Sequence, residues 1–108
     1  MIIYIDDYLW RCWMFKKIEK DFQVLADETR LRILQLIYQG EQCGCDLIHC
    51  IDVTQPTLSY HLKILSDAGY IQGVKEKNKV LYTFQKDKIE DVFNQLMRQL
   101  TSRKDCDL

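Results

Sequence analysis

Two cysteines separated by a single residue, Cys43 and Cys45, are the side chains in this sequence best suited to bind an ion. Thiolates are soft donors and favour thiophilic ions over magnesium or calcium. In a regular helix with ~3.6 residues per turn, residues two apart point about 200° away from each other, so this pair can chelate one ion only where a helix begins or frays. Gly44 lies between them and permits that distortion. The spacing predicts a thiol site at the start of a helix, where the helix dipole also favours thiolates.

The spacing leaves the third ligand open between Cys50 and Cys12. Cys50 follows Cys43 by seven residues, which is about 10.5 Å along a helix, so we expect a small core residue there more than a ligand. Cys12 could reach the site from a dimer partner, provided that the native start is Met1 and not Met14.

Two neighbours of the pair and the cysteine of the C-terminal tail are assigned simpler roles. We expect Asp46 to stabilise the first turn of the helix and His49 to be a surface side chain. Cys106 is expected to be a free thiol on the tail. The five cysteines are an odd number, and Asp6 and Asp7 interrupt the apolar N-terminal stretch, so we expect a cytoplasmic protein with reduced thiols.

A second group of residues could contact nucleic acid. Thr54 is a helix N-cap and Pro56 lies in the first turn, while Leu58, Leu62 and Leu65 form an apolar stripe. The remaining side chains are polar and short or basic. We expect the following to enter a DNA groove: Gln55, Thr57, Ser59, Tyr60 and His61. Lys63 is expected to meet a phosphate.

The charge distribution supports this interpretation. The chain carries a net charge of -1, but residues 54–88 hold six lysines and three acids. Within that segment, alternating residues predict strands over Ile71–Lys75 and Val80–Phe84, joined around a basic tip. Lys75, Lys77 and Lys79 would contact phosphates there.

The elements that must position these residues form one small domain. A first helix is predicted over Lys16–Leu25, with Asp7 as an alternative start, and a second between Asp27 and Gly40. A short third helix has Leu47 and Ile51 facing the core, and a last helix covers Ile89–Leu100. The second of these helices is expected to be almost wholly buried. The pattern predicts a mainly helical winged helix-turn-helix with a small β-hairpin over residues 15–100. Residues 1–14 are expected to be an N-terminal extension or part of the first helix, and residues 101–108 a flexible tail. Excess apolar residues predict a homodimer: Trp10, Trp13, Phe15, Phe93 and Met97.

Three segments carry a family resemblance: Leu-Ala-Asp-Glu-Thr-Arg-Leu-Arg-Ile-Leu at 25–34, Gly-Glu-Gln-Cys-Gly-Cys-Asp-Leu at 40–47, and Thr-Gln-Pro-Thr-Leu-Ser-Tyr-His-Leu-Lys at 54–63. Together they closely resemble the ArsR/SmtB family of metal-responsive repressors. The resemblance implies a dimer that binds operator DNA and releases it when a toxic ion binds. The Cys-x-Cys pair resembles the arsenic- and antimony-sensing branch, and also the cadmium- and lead-sensing branch.

Two departures from the family pattern limit what the resemblance implies. Ile48 stands where the arsenic sensors have a third cysteine, and Lys88–Ser102 contains no histidine, which argues against a zinc site on the last helix. The leading hypothesis is a repressor, and not an enzyme, that responds to As(III) or Sb(III), without an organic cofactor or a membrane partner. The alternatives are a Cd-, Pb- or Zn-responsive repressor, a thiol redox-switch repressor, and a winged-helix module that binds protein and shows no salt-dependent DNA affinity.

Overall fold

The computed structural model describes residues 2–102, with side chains from residue 12 onward. Its elements, in chain order, are α1 (Ile2–Leu25), α2 (Glu28–Gln39), α3 (Gly44–Leu47), α4 (Gln55–Asp67), β1 (Ile71–Glu76), β2 (Lys79–Phe84) and α5 (Lys86–Thr101). This order confirms the predicted winged helix-turn-helix. The side chain of Trp10 and the whole of Cys106 lie outside the described part of the chain.

The first helix is longer than the pattern predicts, because it begins at Ile2 and continues without interruption through Met14. No glycine or proline occurs before Gly40 to stop it. Met14 and Ile18 are both buried, so the helix has a packed face on each side of the predicted boundary at residue 15.

The helix ends are set by local hydrogen bonds that the sequence predicts. The Asp27 carboxylate accepts a hydrogen bond from the backbone N–H of Arg30 at 3.1 Å and begins α2. Gly40 ends it at a φ of 117°, a left-handed conformation that favours glycine. Thr54 begins α4 by accepting a hydrogen bond from the backbone N–H of Thr57.

The core lies between α2, α4, β1 and α5. Its most deeply buried side chains are Ile33, Leu47, Leu58, Leu65, Tyr70, Ile71 and Val92. One expectation about α2 is wrong: Leu31 is 51% exposed, so this helix is buried on one face and not all round. Leu31 instead lines an open groove that α2 forms with the end of β2 and the start of α5.

The hairpin formed by β1 and β2 is the wing. The strands are antiparallel, with Ile71 opposite Phe84 at the base and Glu76 opposite Lys79 at the tip. The connection is two residues long, and Lys77 adopts a positive φ of 59° in it. The tip therefore projects from the domain with its lysines in solvent.

Helices α1 and α5 pack against each other through an edge-to-face pair, Phe22 and Phe93, with ring centroids 5.4 Å apart. Several large apolar side chains on this pair of helices remain exposed in the single chain: Trp13, Phe15, Phe93, Met97 and Leu100. We call this set the apolar face. Among the described residues, no helix combines the length and apolarity that crossing a bilayer requires.

Candidate functional site

The two cysteines lie where the sequence predicts a helix start. Cys43 is the N-cap of α3 with extended backbone angles, and Gly44 is the first helical residue. Because Cys43 is outside the regular helix, its side chain and that of Cys45 converge instead of pointing apart. Cys43 is buried and Cys45 is exposed, so the pair spans the boundary between core and solvent.

The structure joins Cys43 and Cys45 in a disulfide, with Cα atoms 5.2 Å apart. The expectation of reduced thiols is therefore wrong for this pair in the structure. The physical reason is the N-cap geometry, which brings the two sulfurs into bonding contact. A disulfide sulfur has no thiolate to donate, so the pair can hold an ion only after reduction.

Backbone hydrogen bonding attaches the cysteine segment to the wing. The N–H of Tyr82 donates to the carbonyl of Gln42 at 2.8 Å, and Cys43 forms an antiparallel bridge with Leu81. This short pairing extends the wing sheet by one bridge. A displacement of Cys43 would consequently move the backbone that supports β2.

An open cleft of about 510 Å³ lies beside the disulfide. Its walls come from three parts of the domain, namely the start of α3, the outer side of α4 and the wing. The lining residues are Cys43, Gly44, Cys45, Ile48, His49, Gln55, Ser59, Leu62, Asn78, Lys79, Val80 and Tyr82. The candidate thiol site and the candidate DNA surface therefore share one cavity.

The residues near the pair differ from the expected third ligand. Within the described residues, Asp46 is the acidic group that lies with Cys43 and Cys45, all ligand atoms being within 4.8 Å of one another. The expectation that Cys50 is a core residue is wrong, because α3 ends at Leu47 and the chain turns Cys50 into solvent. Cys12 is exposed on α1. His49 is exposed, as predicted, and lines the cleft.

Most of the predicted DNA-contacting side chains of α4 face solvent. The exposed residues are Gln55, Thr57, Ser59, Tyr60 and Lys63. Lys63 lies 3.1 Å from Asp67 in an exposed ion pair, an interaction of the kind that contributes little to stability. Its charge can therefore turn to a phosphate at little cost in stability.

His61 is the exception, because the structure does not place it on the outer side of α4 with the other predicted DNA-contacting residues. It is 9% exposed, and its Nδ1 lies 3.2 Å from a guanidinium nitrogen of Arg30. The apolar stripe of α4 turns His61 inward together with Leu58 and Leu62, where Arg30 provides a polar partner. The role of Arg30 in this contact is not predicted by the sequence. The only available signal was its position three residues after the Asp27 cap, which says nothing about α4.

The wing lysines are exposed, as expected, but they do not share one face. Lys75 is opposite Val80, whereas Lys79 is opposite Glu76 in the adjacent pair. Because successive residues of a strand point to opposite faces, Lys75 and Lys79 lie on opposite sides of the hairpin. Lys77 is at the tip between them.

Comparisons with known proteins agree with this geometry. The family model described as the bacterial regulatory protein, arsR family, matches residues 27–72, which run from the N-cap of α2 into β1. The arsenical resistance operon repressor of Staphylococcus aureus is 35% identical over 92 residues, which is 85% of this chain and 88% of that protein. The chain belongs to the ArsR family of bacterial regulatory proteins.

Solved structures show the same fold. An ArsR-like transcriptional regulator from Rhodococcus sp. RHA1 matches with a TM-score of 0.69 at 24% identity, covering 78% of this chain and 79% of that one. A homodimeric winged helix-turn-helix DNA-binding domain from Mycobacterium bovis, described as a possible ArsR-family regulator, matches with a TM-score of 0.66 at 20% identity, covering 86% and 88%.

Membership of the ArsR family confirms the resemblance stated from the three sequence segments. The chain is a DNA-binding transcriptional regulator and not an enzyme. Family membership therefore disfavours the alternative that the primary function of the chain is to bind protein through its winged helix.

Proposed function

We propose that this ArsR-family protein is a transcriptional repressor in the reducing cytoplasm, released from its operator when a thiophilic metalloid ion binds reduced Cys43 and Cys45. As(III) and Sb(III) are the favoured ions, since the donors are soft and a relative that covers most of the chain is an arsenical resistance operon repressor. The cleft carries the proposal. Its walls hold both cysteines, three residues of α4 and the tip of the wing, so an ion bound there would adjoin both α4 and the wing.

DNA binding is assigned to the exposed face of α4 and to the wing. In this proposal α4 enters the major groove, where Gln55, Thr57, Ser59 and Tyr60 contact base edges and Lys63 contacts a phosphate. Lys75 and Lys79 lie on opposite sides of the wing, with Lys77 at its tip. A wing with lysines on both sides fits a narrow groove that has a phosphate backbone along each wall.

We infer a homodimer formed through the apolar face. Five large side chains of α1 and α5 exposed by 45–62% are more apolar surface than an isolated domain of this size needs. A twofold dimer would present two copies of α4 about 34 Å apart and would require a palindromic operator.

The reduced site fits a thiophilic ion. Thiolate sulfurs that share an ion at a metal–sulfur distance of about 2.3 Å lie within about 4 Å of each other, and the Cys43 and Cys45 sulfurs are close enough to bond. Asp46 supplies a carboxylate oxygen within 4.8 Å of both sulfurs. Cys12 of the partner subunit is the alternative third ligand, which the dimer would have to bring to the site.

Ion binding would act through the wing. An ion between the sulfurs would hold them farther apart than the disulfide does and displace Cys43, whose backbone pairs with β2 at Leu81. The Gln42 carbonyl, which accepts the hydrogen bond of Tyr82, would move with it. Coupling between two such sites is commonly about 1 to 3 kcal/mol, a 5- to 150-fold change in DNA affinity.

The test uses a DNA duplex that the wild-type protein selects from a random library, called here the selected duplex. Fluorescence anisotropy of this duplex is followed while arsenite is added to the protein in a thiol-free reductant. We expect release with the wild type and retention with the C43S/C45S double variant. The matched control is Cys50→Ser, which removes an exposed thiol outside the cleft and should respond as the wild type does. Release of the double variant by arsenite would contradict the proposal.

Ion preference and linkage provide further measurements. Titrations with Sb(III), Cd(II), Pb(II) and Zn(II) rank the ions, and comparison of Asp46→Asn with Cys12→Ser identifies the third ligand. By linkage, the selected duplex should weaken arsenite binding by the same factor by which arsenite weakens DNA binding. Unequal factors would contradict the coupling.

The disulfide itself favours a second candidate function, a redox switch. Two thiols would transfer two electrons to a peroxide, with loss of both thiol protons, to give the Cys43–Cys45 disulfide and water. Hydrogen peroxide would then release the selected duplex without any metalloid, and a reductant would restore binding. If arsenite makes the reduced protein release the selected duplex and peroxide causes no release, metalloid sensing is the function and the redox switch is excluded.

A further inference from the structure

We propose that Arg30 is a positioning residue for DNA recognition, which fixes the orientation of α4 by binding His61 and joins that helix to the end of α1. The inference rests on the DNA-binding part of the proposed function. It goes beyond that function because neither residue faces DNA: Arg30 is 13% exposed in its side chain and His61 is 9% exposed overall.

The Arg30 guanidinium, on α2, contacts two other helices at once. Its Nε donates to the carbonyl of Val24 at 2.7 Å, and a terminal nitrogen donates to the carbonyl of Gln23 at 3.4 Å. Both carbonyls belong to the last turn of α1, where helical carbonyls have no partner within the helix. The other terminal nitrogen lies 3.2 Å from Nδ1 of His61 on α4.

The contact fixes the chemical state of His61. A guanidinium has donors and no acceptor, so Nδ1 must accept and the ring proton must be on Nε2. The charged groups facing His61 are Arg30 itself and Asp27 of α2, whose carboxylate lies 4.0 Å from the guanidinium. Tyr60 of α4 meets the ring edge-on at 5.3 Å.

Orientation of α4 matters because its readout is geometric. A polar atom about 6 Å from a helix axis moves by about 1 Å when the helix rolls by about 10°. Base-edge hydrogen bonds tolerate only a few tenths of an ångström around about 2.9 Å. Leu58, Leu62 and Leu65 anchor α4 by packing, which is not directional, whereas the bond to His61 is directional. The bond therefore selects one roll angle.

Because α1 also carries part of the apolar face, Arg30 links the proposed dimer contact to α4. A change in the direction of α1 would reach α4 through the Val24 carbonyl, the guanidinium and the imidazole. Lysine cannot reproduce this arrangement, since its single ammonium lacks the planar fork that serves three acceptors at fixed angles.

The experiment measures affinity for the selected duplex with variants on both sides of the contact. His61→Leu removes the acceptor, while His61→Asn keeps an oxygen acceptor near the position of Nδ1. We expect His61→Leu to weaken binding on the order of tenfold and His61→Asn to stay within about threefold of the wild type. Equal losses in the two variants would overturn the proposal.

A double-mutant cycle separates positioning from direct base contact. If His61 acts through Arg30, the double variant Arg30→Met with His61→Leu should bind no more weakly than Arg30→Met alone. Additive losses would show that His61 contacts DNA itself and would overturn the proposal. If Arg30→Met does not fold, Arg30→Lys takes its place in the cycle, with urea unfolding as the check on stability.

One further readout distinguishes this inference from a purely structural role. Nitrogen-15 NMR of the DNA-free protein should find the ring proton of His61 on Nε2. A proton on Nδ1 would contradict the contact with Arg30. This measurement uses no DNA, so its outcome does not depend on whether the protein binds the selected duplex. Absence of salt-dependent DNA binding by the wild type would refute the proposed function instead.

Discussion

Helices α3 and α4 are neighbours in the chain and share one cleft, but they are held in different ways. α4 has thirteen residues, a Thr54 cap and three buried leucines on one face. α3 has four residues, no side-chain hydrogen bond at its Cys43 cap, and one buried side chain, Leu47. A four-residue helix cannot stabilise itself, because a first helical turn fixes several residues for one hydrogen bond.

The difference indicates a division of roles. α4 can move only as a unit, which suits a surface whose side chains must keep their spacing in a groove. α3 is held by one buried leucine and has no side-chain cap, which suits a segment that changes on ligand binding or oxidation. The low-stability element thus lies next to the rigid one, and the pairing of Cys43 with Leu81 links it to the wing.

The largest effect should come from the core of α4. Leu58→Ala removes a fully buried side chain and should lower the free energy of unfolding by about 2 to 5 kcal/mol, measured by urea denaturation. The matched change in α3 is Cys45→Ala, at an exposed position, which under reducing conditions should alter stability by no more than about 0.5 kcal/mol. Similar losses in the two variants would remove the distinction between the helices.

The cap of α4 should give the next largest effect. Thr54→Ala deletes the oxygen that accepts from the Thr57 N–H and should cost about 1 kcal/mol, while Thr54→Ser keeps the oxygen and serves as the control. Thermal unfolding followed by circular dichroism measures both. If alanine and serine behave alike, the cap contributes nothing and α4 is held by its leucines alone.

Much of the difference between α3 and α4 could be predicted from sequence, because it depends on residues that are close together in the chain. The caps Asp27, Gly40 and Thr54 act within a few residues, and the leucine spacing of α4 identifies its buried face. Contacts between distant segments could not be predicted. The burial of His61 depends on Arg30, thirty-one residues away, and the attachment of Cys43 depends on Leu81 of the wing. Cys50 was misassigned because a helical period was extended beyond the point where α3 ends.

A smaller effect is expected from Asp27, which holds the start of α2 and adjoins Arg30. The hydrogen bond from the Arg30 backbone, with the nearby positive charge of that side chain, lowers the pKa of Asp27 below its ordinary value. A group with a lowered pKa stabilises the fold above its unfolded pKa, and that stability is lost as the pH falls through the folded value. Stability should therefore decline on acidification below about pH 4. Asp27→Asn should lack this part of the decline, as measured by urea unfolding across pH. Identical pH profiles for the two proteins would show that Asp27 does not contribute.

The smallest expected change in stability comes from Gly44→Ala. This variant tests most directly whether α3 must deform when an ion binds. A Cβ at Gly44 would lie 3.9 Å from the Leu62 side chain, an ordinary contact, so Gly44→Ala should fold normally and gain about 0.5 to 1 kcal/mol. If ion binding distorts the first turn of α3, the added stability of the alanine variant makes that distortion less favourable. The arsenite concentration that releases half of the selected duplex should then rise by about two- to fivefold. The control is Asn94→Ala, at an exposed position of α5, which should stabilise the protein by a similar amount without moving that midpoint. An equal shift in both variants would mean that overall stability, and not the stiffness of α3, sets the response.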